Sequence, residues 1–242
     1  MKFILDVHCH TVNSSHAFST ITENATHAAS IGLTHIGISD HGPGMPDGAH
    51  LYNFLNLGAI PEVIHGVRIL KGVEANILTR DGELDMPKYV LSRLDFVIAS
   101  MHRGVILPES TATNTRALVS AAQNPNVHIL GHPNNTVYPI DIEAVVEAAA
   151  KTGTIYEINN HSLIPGSFRY NGEEEFVKTL ELCKQYGVYV LASSDAHYCT
   201  SVGNFEHAQR LIEQSGIPDH LVLNANAQRF FNVIEQKRSR NQ

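Results

Sequence analysis

The sequence begins with two histidines at a spacing that suits a metal site. His8 and His10 stand one residue apart in DVHCHT, at the end of an apolar run that is typical of a buried strand. Side chains alternate between the two faces of a strand, so we expect both imidazoles to project on the same side as Asp6. Histidine is the commonest metal ligand among side chains. The pair alone is a weak signal, since two imidazoles can share a face without binding a metal.

Histidines and carboxylates also follow the other runs that we predict to be strands. These runs are short and mostly apolar, as expected for strands buried on both faces of a parallel sheet. They cover residues 2–7, 34–39, 67–74, 95–100, 127–130, 154–159 and 188–193. The chemically active side chains at or just after their carboxyl ends are Asp6, His8, His10, Asp40, His41, Glu74, His102, His132, Asp195 and His197. Almost every predicted strand delivers such a residue to the same end of the sheet.

Amphipathic helical patterns separate the predicted strands. Thr20 and Glu23 predict a capping box at the start of the first helix. Gly153 and Gly187 follow two later helices as stop signals. Strands that alternate with helices predict a parallel sheet with right-handed crossovers. About seven such units, without a G-x-G-x-x-G motif, favour a closed TIM-like (β/α)7 barrel. We therefore predict an α/β fold with a single domain over residues 1–242.

In such barrels the carboxyl ends of the strands form the face on which active sites are assembled. Imidazole nitrogens with a few carboxylates suit zinc best, with manganese or iron as alternatives. The candidate ligands are His8, His10, His16, His41, Glu74, His102, His132, Asp195 and His197. This set is too large for one tetrahedral ion and suffices for two or three. The sequence therefore predicts a metal centre with more than one ion.

Four residues near these ligands are candidates for supporting roles. Asp6 is expected either to orient an imidazole or to be a core carboxylate beside a backbone N–H group. Asp40 is expected to support a ligand or the structure rather than to act as a general acid. Arg103 is a candidate for contact with phosphate or for a salt bridge at the rim. Asn160 is a candidate for substrate contact or for capping of backbone groups.

Composition narrows the class of protein. The chain has 242 residues, 43% of them hydrophobic, and a formal net charge of −7. This charge argues against nonspecific binding to nucleic acid or to anionic membranes. The 3 cysteines are widely spaced without a C-x-x-C motif, which suits a reducing compartment. Since no apolar run has the length of a signal or transmembrane segment, we predict a cytoplasmic protein with a small-molecule substrate.

Taken together, the motifs resemble those of the PHP (polymerase and histidinol phosphatase) family. The resemblance rests on DVHCHT near the start, SDHG after the second strand and a single glutamate after the third. Isolated histidines after the fourth and fifth strands and SSDAH near the end complete the set. The resemblance covers essentially the whole chain. Length and motif spacing are most similar to those of the YcdX-type phosphatases of this family.

The resemblance implies a distorted (β/α)7 barrel with a trinuclear centre, usually of zinc. Carried onto matching positions, it implies a first ion held by His8, His10, Glu74 and Asp195. It implies a second ion held by Glu74, as a bridging ligand, with His102 and His132. It implies a third ion held by His16, His41 and His197. Similarity to YcdX-type proteins also points to a homotrimer.

From this site we predict a phosphatase that hydrolyses phosphate monoesters of small molecules. A metal-bridging hydroxide would attack phosphorus in line, and no protein nucleophile is needed. One alternative is a nuclease or phosphodiesterase of the TatD type, in which His16, His41 and His197 would have no role. Another is a protein that binds zinc without catalysis, although structural zinc sites are usually closed and rich in cysteine.

Overall fold

A computed structural model of the protein describes residues 1–170 and 172–239, which form an α/β fold with two sheets. The first sheet has four strands in the spatial order β1 (Leu5–Cys9), β2 (His35–Ile38), β4 (Val67–Lys71) and β3 (Val63–Ile64). The second has five strands in the order β5 (Glu74–Asn76), β6 (Ile98–Ser100), β7 (Ile129–Leu130), β8 (Ile155–Asn159) and β9 (Val190–Ser193). All pairs are parallel except the pair of β3 with β4.

Each of the seven predicted strands is present, and the predicted α/β class is confirmed. Two features differ from the prediction. The short strand β3 forms an antiparallel hairpin with β4 in a region predicted to be irregular. The predicted third strand is divided into β4 and β5 at Gly72 and Val73, so it contributes to both sheets.

The helices pack mainly around the sheets. They are α1 (Ile21–Ser30), α2 (Leu51–Leu55), α3 (Lys88–Leu91), α4 (Thr111–Gln123), α5 (Ile142–Thr152), α6 (Glu174–Tyr186), α7 (Glu206–Ser215) and α8 (Ala227–Ser239). Short 3-10 turns cover Leu57–Ala59, His161–Leu163, Cys199–Ser201, Asp219–Leu221 and Leu223–Ala225. Thr20 and Glu23 form the predicted capping box of α1. Gly153 ends α5 with a φ of 72°, a left-handed conformation that glycine adopts without strain.

Backbone contacts connect the two sheets on both sides. Cys9, at the end of β1, forms a parallel bridge with Ala196, which follows β9. His41, after β2, forms a parallel bridge with Glu74 at the start of β5. The carboxyl ends of β1, β2 and β9 and the start of β5 therefore meet in these two contacts. Closure of the strands into a complete barrel stays a prediction.

The apolar core has an inner part and an outer part. The outer part lies between sheet and helices, and includes Tyr156 of β8 and Leu118 of α4. The inner part includes Ile98 of β6 and Ile129 of β7, and Phe230 of α8 packs against it. Helix α8 thus covers the inner cluster, which leaves the carboxyl ends of the strands for the polar residues. In the described part of the chain, no helix is both long and apolar enough to span a membrane.

Candidate metal centre

The buried carboxylate of Glu74 lies at the centre of a group of imidazoles. His132 Nε2 is 2.8 Å from Glu74 Oε1, and His41 Nδ1 is 2.9 Å from Glu74 Oε2. The Nε2 atoms of His8 and His102 are each 3.3 Å from Glu74 Oε1. Four strands or strand ends therefore direct an imidazole at one carboxylate, as the sequence predicts for a shared ligand.

Asp195 is the second buried carboxylate of this centre. Its Oδ1 is 3.3 Å from His10 Nε2 and 3.6 Å from His8 Nε2. The ring of His197 lies beside it, with Nδ1 3.0 Å from the Asp195 carbonyl oxygen. Asp195 has a φ of 54° and His132 a φ of 29°. Such conformations cost about 1–3 kcal/mol for a residue with a side chain and are concentrated at functional sites.

A second group of rings adjoins the first on the solvent side. The ring centroid of His10 lies 4.5 Å from that of His41 and 4.3 Å from that of His197. His16 lies 4.4 Å from His197, and its Nδ1 is paired with the carboxylate of Asp47. The His16 side chain is 50% exposed. The structure thus brings all nine predicted ligands into one continuous cluster, with His16 at its outer edge.

The donor atoms of this cluster fit metal ions. Six buried atoms form no well-aligned hydrogen bond among the described residues, even where two of them lie 2.9 Å apart: His8 Nε2, His10 Nε2, His41 Nδ1, Glu74 Oε2, His102 Nε2 and His197 Nε2. A buried polar atom without a partner costs about 1–3 kcal/mol, so six such atoms side by side indicate a ligand that pairs with them. Three sets have ligand atoms within 4.8 Å of one another: His10, His41 and His197; His8, His10 and Glu74; His41, Glu74 and His102.

The charges of the cluster also bear on whether it can bind metal ions. Burial alone would raise the pKa of Glu74, but the imidazoles of His102 and His8 hold it well below its usual range. Burial would likewise raise the pKa of Asp195, and Arg169 and His8 hold it well below normal. Burial, together with the charge of His41, lowers the pKa of His10 well below normal. The carboxylates, against the effect of burial, raise the pKa values of His8 and His41, so a metal ion would displace protons from these two rings.

Glu157 is a residue of this site that the sequence reasoning missed. It lies in the middle of β8, and its Oε1 is 2.6 Å from His8 Nδ1 and accepts a hydrogen bond from Ser193 Oγ at 2.5 Å. Its Oε2 accepts the backbone N–H of His132. The signal in the sequence is a charged residue inside the apolar run TIYEIN, two positions before Asn159 and so on the same face of the strand.

Two further contacts orient imidazoles of the cluster. Asn76, two residues after Glu74 in β5, places its Oδ1 2.7 Å from His102 Nδ1 and donates its amide to Asp85 at 2.5 Å. Asp40 accepts hydrogen bonds from the backbone and hydroxyl groups of Thr11 and from Ser14 Oγ. Ser14 Oγ lies 3.4 Å from His10 Nδ1. Asp40 is thus connected to His10 through Ser14.

Asp6 does not orient an imidazole. Its carboxylate accepts backbone N–H groups of Ser194 at 3.3 Å and Gly203 at 2.8 Å. The register of β1 against β2 shifts between Asp6 and Cys9, so strict alternation does not carry from Asp6 to the histidine pair. The second interpretation, a core carboxylate beside backbone N–H groups, is the correct one. Asp6 holds the segment that carries Asp195 and His197.

Asn160 and Arg103 have different surroundings. Asn160 Oδ1 accepts the N–H groups of His207 and Ala208 at 2.9 and 3.0 Å, at the start of α7. The prediction of a substrate contact therefore does not hold for this oxygen, because capping of α7 uses it. Arg103 is exposed and lines the cavity described next. Burial raises the pKa of Tyr138 in this cavity to about 12, and the positive charge of Arg103 opposes this effect only in part.

A cavity of about 590 Å³ opens onto the cluster. Its metal-site wall consists of His16, His41, His102, Asp195 and His197. Arg169 also lines it, and this arginine is a second residue that the sequence reasoning missed. Its guanidinium is buried, pairs with Asp195 and leaves Nε without a hydrogen-bond partner among the described residues. A cavity of this size accommodates a small ligand, and a buried guanidinium suits an anionic one.

Comparisons with known proteins identify the family. The sequence profile of the PHP domain matches residues 6–124. A probable phosphatase of Caldanaerobacter subterraneus subsp. tengcongensis is 48% identical over 242 residues, which cover 99% of this chain and 94% of that protein. The chain belongs to the PHP family. The resemblance seen in the sequence motifs is thereby confirmed.

The PHP fold of the chain is shared by solved structures of low sequence identity. Histidinol phosphate phosphatase from Lactococcus lactis subsp. lactis Il1403, in complex with zinc, L-histidinol and phosphate, matches with a TM-score of 0.61 and 19% identity, over 88% of this chain and 94% of that one. A chain of archaeal ribonuclease P with mature tRNA matches with a TM-score of 0.63 and 14% identity, over 96% and 90%. At these identities the likeness shows the fold alone.

Proposed function

We propose that this PHP protein is a metal-dependent phosphatase that hydrolyses phosphate monoesters of small molecules. The observation that supports this most strongly is the set of unpartnered nitrogen and oxygen atoms around Glu74 and Asp195, at the base of an open cavity. The relative from Caldanaerobacter is named a probable phosphatase, and the structural neighbour from Lactococcus binds zinc and phosphate.

We further propose that residues 1–242 form a single domain with a closed, distorted (β/α)7 barrel, which the two bridges between the sheets support.

The proposed centre holds three ions, which we expect to be zinc, with manganese or iron as alternatives. The proposed ligands of the first ion are His8, His10, Glu74 and Asp195. Those of the second are Glu74, His102 and His132, and those of the third are His16, His41 and His197. The close contacts of Glu74 with His8 and His132, and of His16 with His197, support this division. The sets His10–His41–His197 and His41–Glu74–His102 distribute His10 and His41 differently, so the division follows the family resemblance for these two residues.

When bound, such a cluster lowers the pKa of water towards neutrality and stabilises charge on the phosphoryl oxygens. The protein's own residues then position the ester. Arg169 lies beside the cluster with a free Nε, and we propose that it binds the phosphate dianion. Arg103 lies further out in the same cavity and adds positive charge to the path by which an anion enters. A cytoplasmic location and a homotrimer stay predictions from the sequence.

Metal analysis with activity assays tests the proposal. Protein purified without chelator should contain about three metal ions per chain by plasma mass spectrometry. It should hydrolyse 4-nitrophenyl phosphate, lose that activity with a chelator and recover it with zinc. The His102→Ala variant should lose metal and activity, whereas His220→Ala, at an exposed position outside the cluster, should retain both.

Three outcomes would contradict parts of the proposal. One metal ion or none in folded protein would exclude the trinuclear centre. Faster hydrolysis of bis(4-nitrophenyl) phosphate than of the monoester would favour the nuclease or phosphodiesterase alternative. Full metal content without hydrolysis of any ester would favour a zinc-binding protein without catalysis.

A further inference from the structure

Part of the wall of the cavity is aromatic. Phe18 and Phe168 are each 70% exposed and Tyr198 is 53% exposed, although all three line the same cavity. Large exposed aromatic side chains that converge on one cavity usually contact a ligand or a partner. Met45 and Ile164 add apolar surface to the lining of the same cavity.

The backbone holds two of these rings on adjacent segments. The N–H group of Phe18 donates to the carbonyl of His197 at 2.8 Å. The N–H group of Cys199 donates to Ser19 Oγ at 2.8 Å. These two bonds tie the segment that carries Phe18 to the one that carries Tyr198. Both segments also carry proposed metal ligands, so the rings lie at a fixed distance from the cluster.

Several polar groups of the wall are already paired within the protein. Tyr138 donates its hydroxyl to the carbonyl of Ile106 at 2.7 Å. Asn135 Oδ1 accepts the N–H of Val137 at 2.9 Å. The side-chain oxygen of Asn160 caps α7, as described above. A leaving group rich in hydroxyls would therefore replace only part of its hydrogen bonds to water, through groups such as Ser194 Oγ, which lines the cavity and has no partner among the described residues.

Charge excludes a second class of leaving group. Among the described residues that line the cavity, Asp195 is the only carboxylate, and it is paired with Arg169. Arg103 and Arg169 make the rest of the wall positive. An ammonium group on the leaving alcohol would meet like charge and no free counter-ion.

We propose that the preferred substrates are phosphate monoesters of uncharged alcohols that carry an aromatic ring, and that Phe18, Phe168 and Tyr198 contact this ring. The inference rests on the proposed phosphatase function and adds the class of the leaving group. Phosphate binds at the cluster and Arg169, and the ring occupies the apolar part of the cavity. Stacking and burial of one ring supply the selectivity.

A comparison of three esters tests this proposal. Benzyl phosphate carries an uncharged ring, glycerol 3-phosphate carries hydroxyl groups and phosphoethanolamine carries an ammonium group. We expect kcat/KM for benzyl phosphate to exceed that for each of the others at least about tenfold. Phe18→Ala and Tyr198→Ala should each reduce this ratio several-fold, because each removes one side of the ring's contacts. Phe168 is less suitable, since its ring also contacts the guanidinium of Arg169 at 5.1 Å.

Tyr89→Ala is the matched control, because Tyr89 of α3 is 54% exposed and does not line the cavity. It should leave the ratio unchanged. Equal or faster hydrolysis of glycerol 3-phosphate or phosphoethanolamine would overturn the proposal while the phosphatase function stood. An unchanged ratio of kcat/KM values in both Phe18→Ala and Tyr198→Ala would also overturn the proposal.

Calorimetric titration with phosphonates separates failure of this inference from failure of the proposed function. Benzylphosphonate should bind at least about tenfold more tightly than methylphosphonate. Phe18→Ala should remove most of that difference. Such a result without hydrolysis of any ester would support the ring site and contradict the phosphatase function. Equal binding of the two phosphonates would overturn the ring site.

Discussion

The carboxylate of Glu157 determines which nitrogen of His8 is free to bind a metal ion. Glu157 lies against Nδ1, which leaves Nε2, directed towards Glu74 and Asp195, as the nitrogen that a metal ion would take in place of a proton. Carboxylates that orient a ligand histidine in this way also raise its basicity. Glu157 therefore affects the metal centre without being one of the proposed ligands.

Replacement of Glu157 by glutamine tests this role. Glu157→Gln keeps the size of the side chain but removes the charge and one acceptor, so we expect metal affinity or kcat/KM to fall about 10- to 100-fold. Metal titration and steady-state kinetics measure the effect. The control is Glu147→Gln, which changes a partly exposed glutamate of α5 and should leave both quantities unchanged. Wild-type metal affinity and activity in Glu157→Gln would show that Glu157 has only a structural role.

At the scale of single residues, the sequence predicted which side chains come together in the cluster better than the groups that hold them in place. Most of the proposed ligands stand at or just after the ends of strands, a position that a pattern of apolar runs reveals. Arg169 lies in an irregular loop, and only the folded chain brings it to Asp195. Asn76 has the same limitation, because its partner His102 follows a different strand. Contacts between separate elements cannot be read from periodicity within one element.

At the scale of elements, the break between β4 and β5 lies beside a side chain that is distant in the sequence. The apolar run at 67–74 predicts one continuous strand, but the strand pairing is interrupted after Lys71. The ring of Phe96 occupies the space beside Gly72, where an added Cβ would lie 2.3 Å from Phe96 Cζ. The same ring leaves no space for a Cβ at Gly37 of β2. No local pattern in the sequence indicates that these two glycines share one aromatic neighbour.

Gly72→Ala should therefore destabilise the sheets. The added methyl group overlaps the Phe96 ring, and overpacking of this kind costs about 1–3 kcal/mol. Urea denaturation measures the loss as a lower midpoint. Gly58→Ala is the matched control, because a Cβ at Gly58 meets no atom within 4 Å. Equal stabilities of the two variants would show that the Phe96 ring can move aside at no cost.

At the scale of the whole molecule, the polar site at one end of the strands contrasts with a buried histidine beside the basic last turn of α8. His128 is buried there, and its Nδ1 accepts the N–H of Val97 at 3.0 Å. The charges of Arg238 and Lys237 lie near its ring. Burial, together with these charges, lowers the pKa of His128 from 6.5 to about 3. The folded protein therefore keeps this imidazole neutral.

This neutral imidazole makes global stability depend on pH. The unfolded chain binds a proton at His128 below pH 6.5, and the folded chain binds it only near pH 3. The stabilising contribution is therefore complete above pH 6.5 and is lost as the pH falls towards 3. The free energy of unfolding should decrease by up to about 1.4 kcal/mol per pH unit in this window because of this single group.

His128→Asn isolates the effect, because asparagine keeps an acceptor for the N–H of Val97 but does not titrate. Urea denaturation of both proteins between pH 6 and pH 4, after metal removal by a chelator, should give a smaller pH slope for the variant. The variant loses ring volume and starts from lower stability, so the slope is the informative quantity. His220→Asn, at an exposed position, should keep the wild-type slope. Parallel slopes for wild type and His128→Asn would mean that His128 becomes protonated in the folded state over this range.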